Sequence, residues 1–417
     1  MQYKLPYGND FESITIPDSY SVEYISENKI HKPIDVRSEI KKAFSYPLAS
    51  PTLSDIVKIG DKVAIIIDDH TRPCPSKLLL PYILSELKKA NVSHNDITIL
   101  IATGTHRPPN KKQIVELVGK EILHDYNIVS NDNQSSEYVS IGRTSFDHEI
   151  KILKDYVDAD VKIILSDIEY HYFAGYGGTR KSILPGIASA DSIEHNHAMM
   201  FDKYATTGEI NRNPISREMD EVLEMIGCDF SIGTVLDKNH QPLGIWAGES
   251  KKVMDEGVKL VKSMYSQKIS RKPDLIITAA DGYPHDINLY QSLKAIHSAS
   301  AIIKDNGAII LSAKCDEGMG NSVYRKWIEE FKSSYKIRQQ LKHHFVIGAH
   351  KAYYHRELLR SYDVYLKSLL HPDYVRNHLD FRPVHSIQDA VDEVLRKRKT
   401  VEHICIIPNG STTLLKV

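Results

Sequence analysis

Three apolar runs, each closed by an unusual loop, constrain the fold of this chain more than any other feature. They are Lys62-Val-Ala-Ile-Ile-Ile-Asp68, Asp96-Ile-Thr-Ile-Leu-Ile101 and Val161-Lys-Ile-Ile-Leu165. Short runs rich in β-branched residues, with no polar face to turn to water, read as strands buried on both sides. Helical patterns follow the first two, over residues 76–90 and from residue 110 onward. Strand–loop–helix units in series predict an α/β domain with a mostly parallel sheet. Ligands of such sheets sit beyond the carboxyl ends of the strands. The three most unusual loops fall there: Asp68–Pro75, Thr103–Pro108 and His171–Gly186.

The remaining chain extends this pattern. Residues 2–16 read as a hairpin around Tyr7-Gly-Asn-Asp10, and residues 35–48 as a short helix. Weaker strands are expected at 127–130 and 148–153, a hairpin at 230–248 turned at Lys238-Asn-His-Gln241, and a helix at 251–265. Residues 268–273 are polar and end in proline, as a linker would. A second α/β pattern then begins, with strands at 274–278, 308–312 and 345–347 and helices at 289–303, 321–341, 351–360 and 386–397. The expected domains are therefore 1–268 and 273–400, and the strand at 403–407 is compatible with pairing in either.

Composition narrows the function classes. A hydrophobic content of 41% supplies a core, so disorder is not expected. Lys plus Arg number 53 against 54 Asp plus Glu, which gives no electrostatic case for nucleic acid or an anionic membrane. Cys74, Cys228, Cys315 and Cys405 form no CxxC pair and read as reduced thiols, which points to the cytoplasm. The opening MQYKLPYGND does not resemble a signal peptide, and no apolar run approaches the roughly 18 residues of a membrane helix.

The loops carry the chemistry. Asp68-Asp-His-Thr-Arg-Pro73 suits a helix-capping turn as well as it suits a bidentate grip by Arg72 on a carboxylate. His106, in Gly-Thr-His-Arg, stands just past a buried strand, where a histidine can act as a general base. His171 to His197 gathers glycines, Arg180-Lys181 and three histidines, a setting for anion, amine and metal chemistry. Gly175-Tyr-Gly-Gly-Thr-Arg-Lys-Ser182 nearly matches a P-loop, but arginine replaces its last glycine and Pro185 disturbs the helix a P-loop needs. In the second half, Asn288 or Asp286 is expected to cap a helix that places Tyr290 and Lys294 on one face, with Gln291 beside them. A solvated face is the commoner reading of such a trio.

Together these motifs resemble the nickel-dependent lactate racemase family, the 2-hydroxyacid racemases and epimerases that use a nickel-pincer nucleotide. The resemblance spans nearly the whole chain. It rests on Asp-Asp-His-Thr-Arg-Pro at 68–73, Gly-Thr-His-Arg at 104–107, His171 to Lys181 with Pro185-Gly186, Asn196-His197, and Tyr290-Gln-Ser-Leu-Lys294. It implies two α/β domains with an interdomain active-site cleft. It also implies a pyridinium-3-thioamide-5-thiocarboxylic acid mononucleotide holding Ni(II), tethered covalently to Lys181, with His197 as the protein's nickel ligand. By the same resemblance His106 and His171 are the acid–base pair, Asp69, Pro185 and Gly186 support the cofactor, and Arg72, Tyr290, Gln291 and Lys294 bind a small 2-hydroxy acid. Proteins that make the cofactor are implied as partners. One departure stands out: where the family commonly carries Ser-Gly-Gly, this chain reads Gly177-Gly178-Thr179-Arg180. The competing readings are a P-loop-like ATPase, from the near-match at 175–182, and a non-catalytic binding protein of the same fold.

Overall fold

The computed structural model describes residues 1–25, 34–237, 240–398 and 400–416. The chain divides into two compact units, one of His31–Ser263 and one combining Met1–Ile30 with Met264–Val417. The division differs from the expected 1–268 and 273–400 at the N-terminus. Leu5, Ile14 and Ile16 of the opening hairpin are buried in the same apolar cluster as Leu275, Ile277 and Ile310, so burial assigns the hairpin to the second unit.

The middle unit is built on a six-stranded sheet. Its order is Pro242–Gly248, Phe230–Leu236, Val161–Asp167, Val63–Asp68, Ile97–Ala102 and Asn127–Ser130. All neighbours run parallel except the edge strand 242–248, which returns antiparallel to 230–236. The three apolar runs are thus three adjacent central strands, with side chains such as Ile65, Ile99 and Ile163 fully buried. Helix Ser76–Lys89 covers the sheet through Leu79, Ile83 and Leu87, one face of a 3.6-residue period. Helix Lys111–Val118 begins at a capping box between Asn110 and Gln113. Strand order reverses between 63–68 and 161–167, so the switch point of the sheet lies between the ends of these two strands.

Two local expectations change. The strand at 149–153 forms, but it pairs antiparallel with Tyr138–Arg143 in a separate ribbon. The 230–248 hairpin also forms, while Lys238 and Asn239 of its expected turn lie outside the described residues.

The second unit carries its own six-stranded sheet, all parallel. The order is Arg382–Pro383, Asp363–Lys367, Ala308–Ser312, Leu275–Ala279, His403–Ile407 and Ser21–Tyr24. The strand at 403–407 therefore pairs in this unit. Its neighbour 21–24 comes from the far end of the chain. The expected strand at 345–347 is absent, and those residues lead instead through Gly348, at φ 94°, into helix Ala349–Leu358. Here the switch point lies between 275–279 and 403–407. No helix among the described residues is long and apolar enough to cross a membrane.

Candidate active site

Two carboxyl groups mark the switch point of the middle unit. Asp68 ends its strand beside Asp167, whose backbone N–H donates to Asp68 Oδ2 at 3.0 Å. Burial raises both pKa values. Asp167 is pushed further, because the charges of Glu169 and Asp68 add to its burial. Two adjacent carboxyls in a dry site favour sharing one proton, so the pair carries less than two negative charges.

The loops that follow adjacent strands bring the sequence candidates together. His106 Nδ1 lies 2.8 Å from Asp69 Oδ2, and Thr71 Oγ1 donates to Asp69 Oδ1 at 2.6 Å. Burial alone would raise the Asp69 pKa, but the hydrogen bonds from His106 and Thr71 outweigh it and hold the carboxyl below its usual range. A carboxylate only accepts, so Nδ1 of His106 carries a proton and the neutral ring keeps its lone pair on Nε2. His171 is set the other way. Its Nδ1 accepts from the backbone N–H of Ala174 at 3.1 Å, so the neutral ring carries its proton on Nε2. The two histidines thus rest in opposite tautomers.

Arg72 Nη1 donates to Glu169 Oε1 at 2.7 Å, and its side chain is 30% exposed. Among the described residues Glu169 is the one side chain to which Arg72 hydrogen-bonds, so most of its guanidinium donors are not committed to carboxylates there. Lys181 is half-buried and follows Gly178, whose φ is 93°. A Cβ at Gly178 would stand 2.9 Å from the carbonyl oxygen of Asp167, so the turn packs directly onto the strand end. Burial and the nearby Arg72 charge lower the Lys181 pKa to about 8, against the pull of Asp68, Glu169 and Asp167. His197 is buried on helix Ala190–Ala198, and burial together with the Lys181 charge pushes its pKa down to about 3. It is a neutral imidazole at any working pH. Phe173 packs edge-on against both rings, 4.5 Å from His171 and 4.9 Å from His197.

Pro185 and Gly186 tie the lysine turn to the His106 loop, since Gly104 N–H donates to Gly186 O at 2.9 Å. Arg180 takes a different course from its neighbour. It is buried, donates to Ser216 Oγ at 2.8 Å and lies 3.2 Å from Asp220, anchoring the turn to helix Pro214–Ile226. Within the departure at 177–180, Arg180 therefore makes a packing contact. Residues Thr179–Ser182 form one short 3-10 turn, which lacks the helix N-terminus on which a P-loop depends. His195, a possible metal ligand from its spacing, is exposed and stacks on His148 at 4.8 Å.

In the second unit, Asn288 is the cap of helix Leu289–Ser300 and accepts from Gln291 N–H at 3.0 Å. Asp286 instead accepts from the backbone N–H groups of Gly8 and Lys314 at 2.7 and 3.0 Å. Lys351, a residue that sequence reasoning did not single out, is buried and donates to the carbonyl of Tyr290. Its ammonium lies 3.9 Å from the centre of the Tyr290 ring. Asp281, at φ 62°, meets Thr412 across this sheet's switch point. Burial raises its pKa to about 7, against bonds from Ser411 and Thr412 and the Lys294 charge.

Sequence reasoning also missed Glu169 and the Asp68–Asp167 pair. The rule that flagged the other loops would have found them, because all three stand at strand ends.

Known proteins supply an independent comparison. Residues 7–208 match the model of the lactate racemase N-terminal domain, and residues 269–415 that of the lactate racemase C-terminal domain. The lactate racemase of Thermoanaerobacterium thermosaccharolyticum is 34% identical over 344 residues, 81% of this chain and 80% of that protein. That of Lactiplantibacillus plantarum is 28% identical over 99% of both chains. The solved lactate racemase apoprotein from Thermoanaerobacterium thermosaccharolyticum superposes with a TM-score of 0.88 at 28% identity, covering all of both chains. A Thermotoga maritima protein at 17% identity and a TM-score of 0.63 shares the fold, with 94% of this chain and all of that chain covered.

Proposed function

The chain belongs to the lactate racemase family, and we propose that it is an isomerase that racemises or epimerises lactate or a related 2-hydroxy acid. The observation that carries the reading is one of state as well as place. Two histidines in opposite tautomers, an arginine with uncommitted donors and a lysine of lowered pKa stand on the loops after three adjacent central strands.

The C2–H bond of a 2-hydroxy acid is barely acidic, so inversion is easier by removing hydride than by removing a proton. A nickel-pincer nucleotide, when bound, supplies the hydride acceptor. The residues present suit such a group. Lys181 is the amine for covalent attachment, and His197 offers a neutral imidazole as nickel ligand. No cluster of three or more His, Cys, Asp or Glu among the described residues is placed to hold a metal. A metal here would need ligands from outside the chain, which the sulfurs of that nucleotide would provide. Asp69, Pro185 and Gly186 belong to the scaffold around it. The proteins that make the cofactor are then necessary partners.

The chain's own residues do the rest. Arg72 holds the substrate carboxylate through donors that Glu169 leaves uncommitted, which supplies orientation. His106, with its lone pair on Nε2, accepts the hydroxyl proton as hydride leaves C2, and Asp69 stabilises the resulting imidazolium. The product of this half-reaction is a planar 2-keto acid. His171 serves the opposite enantiomer: entering the turnover as an imidazolium, it donates a proton to the keto oxygen when hydride returns to the opposite face and is left as the neutral ring. The reverse reaction exchanges the two roles. Tyr290, Gln291 and Lys294 are assigned to substrate binding, with Lys351 supporting Tyr290 from its own unit.

The test is protein produced together with the cofactor-making enzymes, examined by mass spectrometry and chiral chromatography. An adduct on Lys181 and inversion of at least one member of a panel of lactate, malate, longer, aromatic and sugar 2-hydroxy acids are expected. Absence of both adduct and nickel would sink the reading. His106→Ala and His171→Ala should each lower turnover by about 100-fold or more. Full activity in both would favour a different catalytic pair.

A further inference from the structure

Glu218 is fully buried on the 214–226 helix. Its Oε1 accepts from Thr144 Oγ1 at 2.8 Å and lies 2.7 Å from His148 Nδ1, while its Oε2 accepts from Asn196 Nδ2 at 2.9 Å. The same Asn196 nitrogen donates to the carbonyl of Ile215 at 3.2 Å. A carboxylate and a carbonyl both only accept, so the Asn196 side chain has one allowed orientation, with nitrogen towards Glu218. Its Oδ1 then faces His197 Nδ1 at 3.1 Å. An amide oxygen also only accepts. The proton of neutral His197 is therefore placed on Nδ1, and the lone pair on Nε2.

We propose that Glu218 and Asn196 are positioning residues for His197: they fix its ring and its Nδ1-protonated tautomer, so that Nε2 is presented to a metal ion. The ion is nickel on the reading above, and the proposal rests on that reading. Metal-binding histidines commonly depend on such a partner for tautomer and basicity, and loss of the partner weakens binding. Here the partner is an amide held from behind by a buried carboxylate. Thr144 and His148 complete that support by occupying the other carboxylate oxygen. A purely structural role for Glu218 would tie the 190–198 and 214–226 helices together without any preference at His197.

The two roles separate by measurement on cofactor-loaded protein. Asn196→Ala and Glu218→Leu should carry the Lys181 adduct at the wild-type level, read by mass spectrometry under denaturing conditions. Both should lose Ni(II) to EDTA about 10- to 100-fold more readily, with altered visible absorption bands. Glu218→Gln, whose amide oxygen can still accept from Asn196, should restore nickel retention. Unchanged retention and spectrum in Asn196→Ala overturns the proposal. A second measurement needs no variant to fold. In 15N-labelled wild-type apoprotein, His197 should appear as the Nδ1–H tautomer, and an Nε2–H tautomer overturns the relay. A loaded wild type with neither adduct nor nickel overturns the underlying reading instead, so the two failures are distinguishable.

Discussion

Lys181 shows how much a single side chain takes from its surroundings. A solvated lysine at pH 7 is free base in roughly one molecule in three thousand, whereas an amine with a pKa of about 8 is free base in roughly one in ten. Acylation of Lys181 in the apoprotein should therefore titrate with a midpoint about 8, read by mass-spectrometric footprinting. A midpoint near 10.5 would show that burial and Arg72 do not act on the amine as argued. Asp281 makes the opposite case, because burial raises its pKa from 3.8 to about 7. The folded state holds this proton more tightly than the unfolded chain does. The resulting stability is fully present below pH 3.8 and is lost as pH rises through about 7. Asp281→Asn cannot ionise and tolerates the φ of 62°. Its thermal midpoint should exceed that of the wild type at pH 8, and the difference should vanish in acid. The residues to which the proposed function assigns chemistry, His106, His171, Lys181 and His197, stand out one by one in the sequence. Their supporting partners do not. Arg72 meets Glu169 across 97 positions and Asn196 meets Glu218 across 22, and no local pattern encodes such pairs.

Elements differed in how plainly the sequence announced them. The central strands were evident because both faces are covered, which leaves an unbroken apolar run. Strand Asp363–Lys367 was missed because its core is only Val364, Tyr365 and Leu366 between charged ends. Tyr138–Arg143 was missed because none of its residues is buried. The lysine turn at 178–182 is an element defined by backbone rather than by side chains. Its geometry depends on Gly178, where φ is 93° and a Cβ would press on the Asp167 carbonyl. Gly178→Ala should destabilise the protein by roughly 1–3 kcal/mol. The cost, read by denaturant unfolding, should come with reduced adduct formation at Lys181. An unchanged unfolding midpoint would mean that the turn relaxes freely.

At the scale of the molecule, the switch-point rule located both groups of candidates from topology alone, once strand order was known. Strand order itself was not legible, because nothing local tells the 403–407 strand to lie between 275–279 and 21–24. The middle unit has a complete sheet and core within residues 31–263. Expressed alone, this segment should show a folded circular dichroism spectrum and cooperative thermal unfolding. A chain lacking residues 1–30 should leave the second unit without an edge strand and without Leu5, Ile14 and Ile16. Each of those side chains contributes about 1.5–3 kcal/mol by burial, so that unit should unfold early or not form.

The discontinuous second unit also sets an order of events during synthesis. Residue 24 leaves the ribosome long before its strand partner near residue 406 is made. At about 5–20 residues per second, the opening segment waits roughly 20–80 s for that partner. For much of this interval Leu5, Ile14 and Ile16 lack Leu275, Ile277 and Ile310, on which they pack, while the 31–263 unit has everything it needs to fold. The nascent chain therefore carries an unfinished N-terminal arm attached to a finished domain. Chaperone capture of that arm, read by ribosome-bound crosslinking, should end only when the last strand emerges.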